Sequence, residues 1–280
     1  MAESEIAKYT GIDLNLIPTP TGPLCVSKGD DPSATTRLSV VLPTFNEAQN
    51  IEPMIRALSE ILEKSQIPYE LIVVDDDSPD GTWSRAQSLS TSLPHLRVMR
   101  RTSERGLATA VIRGWQASGG DVLGVIDADL QHPPEVIPKL WNQIQSGADL
   151  AVASRRVAGG GVSQWSWRRR LISRTAEGIG LVVLPEVVGR VTDPMSGYLL
   201  VRRDKLEGVT FRPRGYKILI EILGRSQIGK IAEVGYVFRE RVGDESKITW
   251  RTCRDYLLHL GILRLWRFST MGRIGNRSTH

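Results

Sequence analysis

"VLGVIDADLQHPPEVIPKLWNQIQ" (Val122–Gln145) reads as a strand, an acidic loop and a helix. The apolar run that starts at Val122 closes on Asp127. A second acid follows at Asp129, then Gln-His-Pro-Pro, and Glu135 to Gln145 has the look of a helix. A strand ending in Asp127-Ala128-Asp129 sends both carboxylates to one face, because side chains alternate with period two. Two acids placed so repel each other unless a cation sits nearby, and hard oxygen ligands suit Mg²⁺ or Mn²⁺. The plainer alternative is that one acid caps the helix and the other is solvated.

The same unit recurs on both sides of this stretch. "LSVVL" (38–42) is ended by Pro43, and Glu47 to Lys64 then spaces Ile51, Met54, Ile55, Leu58, Ile61 and Leu62 at helical intervals. "LIVVD" (71–75) precedes a helix near Thr82–Leu89, "LRVM" (96–99) precedes one from about Arg105 to Ser118, and "LAVAS" (150–154) follows the opening stretch. Apolar strands alternating with helices predict an α/β fold with a mostly parallel sheet covered on both faces. Ligands of such sheets bind beyond the carboxyl ends of the strands. The loops at that edge are "PTFNE", "DDDSPDGT", "DADLQHPP" and "SRRVAGGG", so polar and acidic residues gather there. "SPDG" accounts for Asp80 and Gly81 as a turn, but not for Asp75, Asp76 and Asp77 before it.

Composition narrows the classes. At 280 residues with 41% hydrophobic content the chain can bury a sizeable core. Residues 1–36, with Pro18, Pro20, Pro23 and Pro32 and no sustained periodicity, read as a flexible tail. The two cysteines, Cys25 and Cys253, allow neither a disulfide framework nor a CxxC metal site, which fits a reducing compartment. No apolar run reaches the ~18 residues of a membrane span. No G-x-G-x-x-G follows the first strand. "GRSQIGKI" (224–231) has Ile231 where a phosphate loop needs Ser or Thr, and it follows a helical stretch instead of a strand. Charge is uneven: residues 1–150 hold 12 Lys+Arg against 20 Asp+Glu, and residues 151–280 hold 24 against 11. A basic second half calls for an anionic partner, be it nucleic acid, a membrane surface or a phosphorylated substrate, or is simply a solvated face.

Taken in order, "VVLPTFNE", "VVDDDSPDGT", "RGLATAVIRGW", "DADLQHPPE" and "DPMSGYLLVRR" resemble the family 2 glycosyltransferases, in particular the dolichol-phosphate mannose synthase group, over roughly Leu38 to Arg267. The resemblance implies a GT-A fold, Rossmann-like, over residues 37–249, with residues 250–280 an amphipathic helix and tail. It implies a divalent metal, Mg²⁺ or Mn²⁺, and inverting transfer of mannose from GDP-mannose to a polyprenyl phosphate. Carried over by position, Pro43, Phe45 and Glu47 line the nucleotide pocket, with Asp75 and Asp77 on the donor's base or ribose side. Phe45 stands where the family often has Tyr, which keeps stacking and loses a hydroxyl. Asp127, Asp129 and Gln131 match the metal and diphosphate motif, and Arg155 the arginine serving the phosphates. Asp193 is a further candidate, for sugar or acceptor orientation, or else a turn residue before Pro194. The nucleophile implied is a phosphate monoester, already largely deprotonated near neutral pH, so no catalytic base is required.

The basic half supplies the expected acceptor side. "QWSWRRRLISRTAEGIGLVVL" (164–184) places Trp165, Trp167 and Arg174 around Arg168, Arg169 and Arg170, as an interfacial helix does, and Arg169 or Arg170 matches an acceptor-side position of the family. Arg239, Arg241, Ser246 and Lys247 in "FRERVGDESKITW" (238–250) are similar to the family's loop near the acceptor; a charged hairpin is the alternative. "WRTCRDYLLHLGILRLWRF" (250–268) spaces Tyr256, Leu257, Leu260, Leu263 and Leu265 among arginines. In two-domain relatives a membrane domain begins after a similar segment, so the chain resembles a catalytic domain without its anchor, peripheral to the cytosolic face of a membrane. An anchoring partner protein or a second copy fits that picture. The rivals are a UDP-glucose-dependent polyprenyl-phosphate glucosyltransferase and a nucleic-acid-binding protein. The latter leaves the acidic strand ends unexplained, because they repel phosphates.

Overall fold

The computed structural model describes residues 24–26, 37–163, 167–239 and 250–275. Ten strands are present among them: β1 Leu24–Val26, β2 Leu38–Thr44, β3 Tyr69–Asp75, β4 Leu96–Arg101, β5 Val122–Val125, β6 Leu150–Ser154, β7 Gly161–Val162, β8 Leu199–Arg202, β9 Ile231–Gly235 and β10 Val237–Phe238. The helices are α1 Ile51–Lys64, α2 Thr82–Ser90, α3 Leu107–Gln116, α4 Ile137–Gln145, α5 Trp167–Val183, α6 Pro185–Val188, α7 Ile218–Arg225 and α8 Trp250–Gly275.

Eight strands form one sheet in the order β1-β4-β3-β2-β5-β8-β6-β9, and β10 pairs with β7 beside it. β4, β3, β2 and β5 are parallel to one another, as are β6 and β9, while β8 runs antiparallel to both β5 and β6. The chain builds outward from β2 through β3 to β4, then returns to place β5 on the other side of β2. That reversal opens a crevice beyond the carboxyl ends of β2 and β5. The antiparallel β8 matters for the same edge. Its first residue, Leu199, is level with Val125 at the end of β5 and with Val152 of β6, so the loop entering β8 delivers Asp193 to that edge.

Alternation explains the two cores. Val40 and Leu42 face one way, onto Met54, Leu58 and Leu140 of α1 and α4, whereas Val41 faces α3 and Trp115 on the other side. α3 approaches so closely that a Cβ on Gly114 would sit 2.6 Å from Val41, and only glycine fits.

Three sequence expectations are revised. Leu24–Val26, inside the stretch read as a tail, pairs antiparallel with β4 at the sheet edge. β5 stops at Val125, and Asp127 to Leu130 form a turn in which Leu130 has φ +60°, so strand alternation is not what aligns the two acids. α8 turns Tyr256, Leu260 and Leu263 into the protein core, leaving Leu257 and Leu265 of that apolar set exposed. A buried cluster fastens α8 to α7: Glu221 Oε2 lies 2.6 Å from His259 Nε2, and Glu221 Oε1 accepts from Arg225 Nε at 2.6 Å. "GRSQIGKI" runs from the end of α7 into β9, the reverse of a phosphate loop's strand-to-helix order. No described helix is long and apolar enough to cross a membrane.

Candidate active site

The loop after β5 presents its two acids at the crevice. Asp127 keeps 32% of its side chain exposed, with Oδ2 3.4 Å from His132 Nε2. Asp129 is also half-buried, and its Oδ1 accepts from the backbone N–H of Gln131 at 3.1 Å. Gln131 itself is buried, and its Nε2 donates to the carbonyl of Arg239 (3.1 Å) while Arg239 N–H returns a bond to the Gln131 carbonyl (2.9 Å). Through its amide nitrogen and its backbone carbonyl Gln131 braces the loop against the end of β10. Beneath them His132 stacks on Tyr236 with ring centroids 5.4 Å apart and meets Tyr198 and Phe238 edge-on.

The expected metal fits this donor set. Among the described residues no group of three or more His, Cys, Asp or Glu side chains is placed to hold an ion alone. Mg²⁺ does not require one: it is commonly held by one or two carboxylates, with substrate phosphates and water completing its shell.

Arg155, just after β6, meets Asp193 from the β8 entry loop. Nε donates to Oδ2 and Nη2 to Oδ1, both at 2.7 Å, and the Arg155 backbone N–H adds a third bond at 3.0 Å. Asp193 is fully buried. Burial pushes its carboxyl up, but the bonds and charge of Arg155 outweigh that and hold it below its ordinary value. In this structure the Asp193 carboxylate is sealed and bonded to Arg155, and it fixes the orientation of that guanidinium.

The three acids after β3 separate into three roles. Asp75 is sealed, accepting from Thr44 Oγ1 (2.7 Å), Ser78 N (2.8 Å) and Ser78 Oγ (2.7 Å). These bonds tie the loop to the end of β2. Asp76 is buried on Arg101 and accepts from Gly106 N–H at 2.7 Å; burial raises its pKa and the guanidinium offsets this only in part. Asp77 is half exposed and bound by Arg100 Nε at 2.7 Å. Asp80 fills the turn role, accepting from Thr82 N and Ala48 N.

Beside Asp77 lies a cleft of about 550 Å³ lined by Phe45, Asp77, Ser78, Pro79, Gly81, Trp83, Arg100 and Arg105. The Arg100 guanidinium stacks 4.0 Å from the Trp83 ring centroid, and Arg105 stands 5.5 Å over Phe45. Pro43 and Glu47, expected to line the nucleotide pocket, are buried and do not line this cleft. Pro43 lies within β2, past the last pairing with β5, and Glu47 accepts from Asn50 Nδ2 at 2.8 Å. Arg239 is exposed beside the acidic loop, 3.5 Å from Glu135. Arg169 and Arg170 lie on α5 by their backbone, their side chains outside the described residues, as are Arg241, Ser246 and Lys247 altogether.

Residues 39–210 match the model of the glycosyl transferase family 2. The chain belongs to that family. It is 44% identical over 247 residues to the dolichol-phosphate mannosyltransferase of Pyrococcus furiosus, spanning 85% of this chain and 69% of that protein. It is 34% identical to the Saccharomyces cerevisiae dolichol-phosphate mannosyltransferase (82% and 88% covered) and 34% identical to the polyprenol monophosphomannose synthase of Mycolicibacterium smegmatis (81% and 88%). Glucosyl-3-phosphoglycerate synthase from Mycobacterium tuberculosis, crystallised with Mn²⁺, UDP-glucose and phosphoglyceric acid, superposes with a TM-score of 0.62 at 24% identity, over 83% of this chain and 81% of that one. The Mg²⁺ and UDP complex of the same enzyme gives 0.60 at 23%, over 83% and 80%. The shared fold is GT-A.

In this family 2 glycosyltransferase, sequence reasoning missed Trp83, Arg100 and Arg105. They stand on α2, β4 and the loop after β4, and only the sheet brings them together. The available signal was Arg100-Arg101 at the end of a strand whose parallel neighbour, β3, ends in acids.

Proposed function

We propose that this enzyme transfers mannose from GDP-mannose to a polyprenyl phosphate with inversion, forming polyprenyl-phosphate mannose. The observation carrying the reading is the 44% identity, over 85% of the chain, to a dolichol-phosphate mannosyltransferase. Phe45, Asp77, Trp83, Arg100 and Arg105 take the donor's base and ribose, with aromatic faces for stacking and Arg100 held for hydrogen bonding. Asp127 and Asp129 would hold Mg²⁺ or Mn²⁺, which would supply charge neutralisation for the leaving diphosphate. Arg155, oriented by Asp193, adds a fixed positive charge there.

An oxygen of the acceptor phosphate attacks C1 of mannose from the face opposite the diphosphate. The C1–O bond breaks and its electron pair leaves on the β-phosphate of GDP. The acceptor carries no proton that must be removed, so no side chain is assigned as general base. Arg169, Arg170 and Arg239, with Ser246 and Lys247, are assigned to the acceptor side. Its lipid tail requires the enzyme to work at a membrane surface, at the cytosolic face in this reading. Exposed Leu257, Leu258, Leu265 and Phe268 on α8, beside Arg254 and Arg264, suit such a surface.

Labelled GDP-mannose and UDP-glucose, offered in parallel with a short polyprenyl phosphate and Mg²⁺ or Mn²⁺, test the reading. Label from GDP-mannose is expected in the organic extract. Lipid labelling from UDP-glucose alone would overturn the donor assignment.

A further inference from the structure

Lys217 precedes α7 and is half-buried. Its Nζ donates to the carbonyl of Met195 at 2.9 Å and lies 4.2 Å from the Tyr216 ring centroid. No carboxylate among the described residues forms an ion pair with it. Met195 belongs to the same short loop as Asp193, and that loop also carries Gly197, where a Cβ would come within 3.6 Å of Asp127 Oδ2. Lys217 thus rests on the segment that connects the Arg155 clamp to the acidic loop.

Its electrostatic surroundings match that placement. Burial is the main influence and repulsion from Arg155 the next; Asp193 and Asp127 oppose them, and together they lower its pKa to about 7. An ammonium withdrawn from water without a paired carboxylate disfavours the folded chain, and an apolar side chain of similar length would fill the place at less cost. Lysine there makes sense for an anion that arrives with the substrates. Compact phosphate oxygens suit an ammonium, which approaches as a point charge.

We propose that Lys217 is a phosphate-binding residue of this site, acting beside Arg155 on the reacting phosphate of either the donor or the acceptor. The inference rests on the transfer reaction proposed above. On substrate arrival the ammonium exchanges the Met195 carbonyl for a phosphate oxygen, adding a second positive charge next to Arg155.

The test is equilibrium binding of GDP with Mg²⁺, and separately of a short polyprenyl phosphate, to the wild-type protein, K217M and K217R, with KM for each substrate measured alongside. K217M is expected to weaken one ligand roughly 10- to 100-fold, the loss of a charge-assisted hydrogen bond, and K217R to recover most of it. A loss for GDP places Lys217 on the donor's diphosphate; a loss for the lipid phosphate places it on the acceptor. Equal binding by K217M and wild type overturns the inference, and so does a loss that K217R fails to reduce, which would make the effect one of packing. Melting temperatures control for folding, with K217Q replacing K217M should the latter melt early. Wild type binding neither ligand would sink the transfer reading itself, a result distinct from wild type binding both with K217M unchanged.

Discussion

Arg155 and Asp193, 38 residues apart in the chain, face each other through two parallel hydrogen bonds of 2.7 Å, and the carboxylate is fully buried. The pair joins the end of β6 to the loop entering β8, so it holds the crevice together as well as aiming a guanidinium into it. Asp193→Asn keeps the size and loses the charge, removing the buried carboxylate paired with Arg155, whose side chain is 12% exposed. Breaking a buried pair in this way costs about 3–5 kcal/mol. The folded-state pKa of Asp193 is below its ordinary 3.8, so the pair's contribution is fully present above that pH and is lost as pH falls through the folded value. Thermal melts of wild type and Asp193→Asn should therefore differ by a constant gap near neutrality that narrows below about pH 4. A gap that narrows as pH rises would contradict the ionised pair.

Asp129→Asn tests the acidic loop. The residue is half-buried at a turn, so the variant should fold, while transfer falls by ~10²–10³ as electrostatic stabilisation of the leaving group is lost. Mn²⁺ binding in the presence of GDP, followed by electron paramagnetic resonance, should weaken in parallel. A folded Asp129→Asn enzyme with near-normal turnover would defeat the metal assignment.

Trp83→Ala removes the face against which Arg100 stacks. Cation–π contacts and base stacking are each worth about 1–2 kcal/mol, so GDP should bind roughly tenfold more weakly. Binding of pyrophosphate should not change, because Trp83 belongs to the base cleft and not to the acidic loop. Equal weakening of both ligands would mean that the cleft does not hold the base.

The strand ends were readable because four apolar runs each stop on polar residues, and a parallel sheet puts such ends at one edge. That reasoning located "DADLQHPP" and the arginine after β6. β8 was seen only as a motif, since "LLVR" is four residues long and antiparallel in an otherwise βα-patterned chain, and with it went the partner of Arg155. Asp75 reads as a donor contact because acids at a strand end are usually exposed; here Thr44 and Ser78 bond to it in a buried position, contacts that no local spacing encodes. The apolar set on α8 was legible as amphipathic, but periodicity cannot tell whether such a face meets lipid or the protein's own core.

Glu221 carries the attachment of α8. It is fully buried and accepts from Arg225 Nε and from Arg212 N at 2.6 Å, with His259 Nε2 2.6 Å from its other oxygen. Glu221→Ala leaves the Arg225 charge buried without its partner, at about 3–5 kcal/mol, which should lower the melting temperature by roughly 10 °C. Limited proteolysis should then cut near α8 before elsewhere. A variant that melts with wild type would show that apolar packing of Tyr256, Leu260 and Leu263 suffices.

The same packing determines how membrane docking must be tested. Deleting α8 would strip Tyr256, Leu260 and Leu263 from the core, so loss of binding after deletion would say nothing about the outer surface. Leu258 and Leu265 are seven residues apart, hence on one face of α8, and are 43% and 72% exposed; Phe268 next to them is 61% exposed. Arg254 and Arg264 border the face, each worth ~1 kcal/mol near an anionic surface. Co-sedimentation with phosphatidylglycerol-containing vesicles should therefore be reversible and weaker in high salt, where screening shortens the reach of these charges. Leu258→Glu with Leu265→Glu should reduce it at least tenfold, from lost apolar burial of about 1.5 kcal/mol or more per leucine and added repulsion, while the melting temperature stays put. Undiminished sedimentation of that double variant would remove α8 from the docking surface and leave the Arg168–Arg170 segment of α5 to carry it.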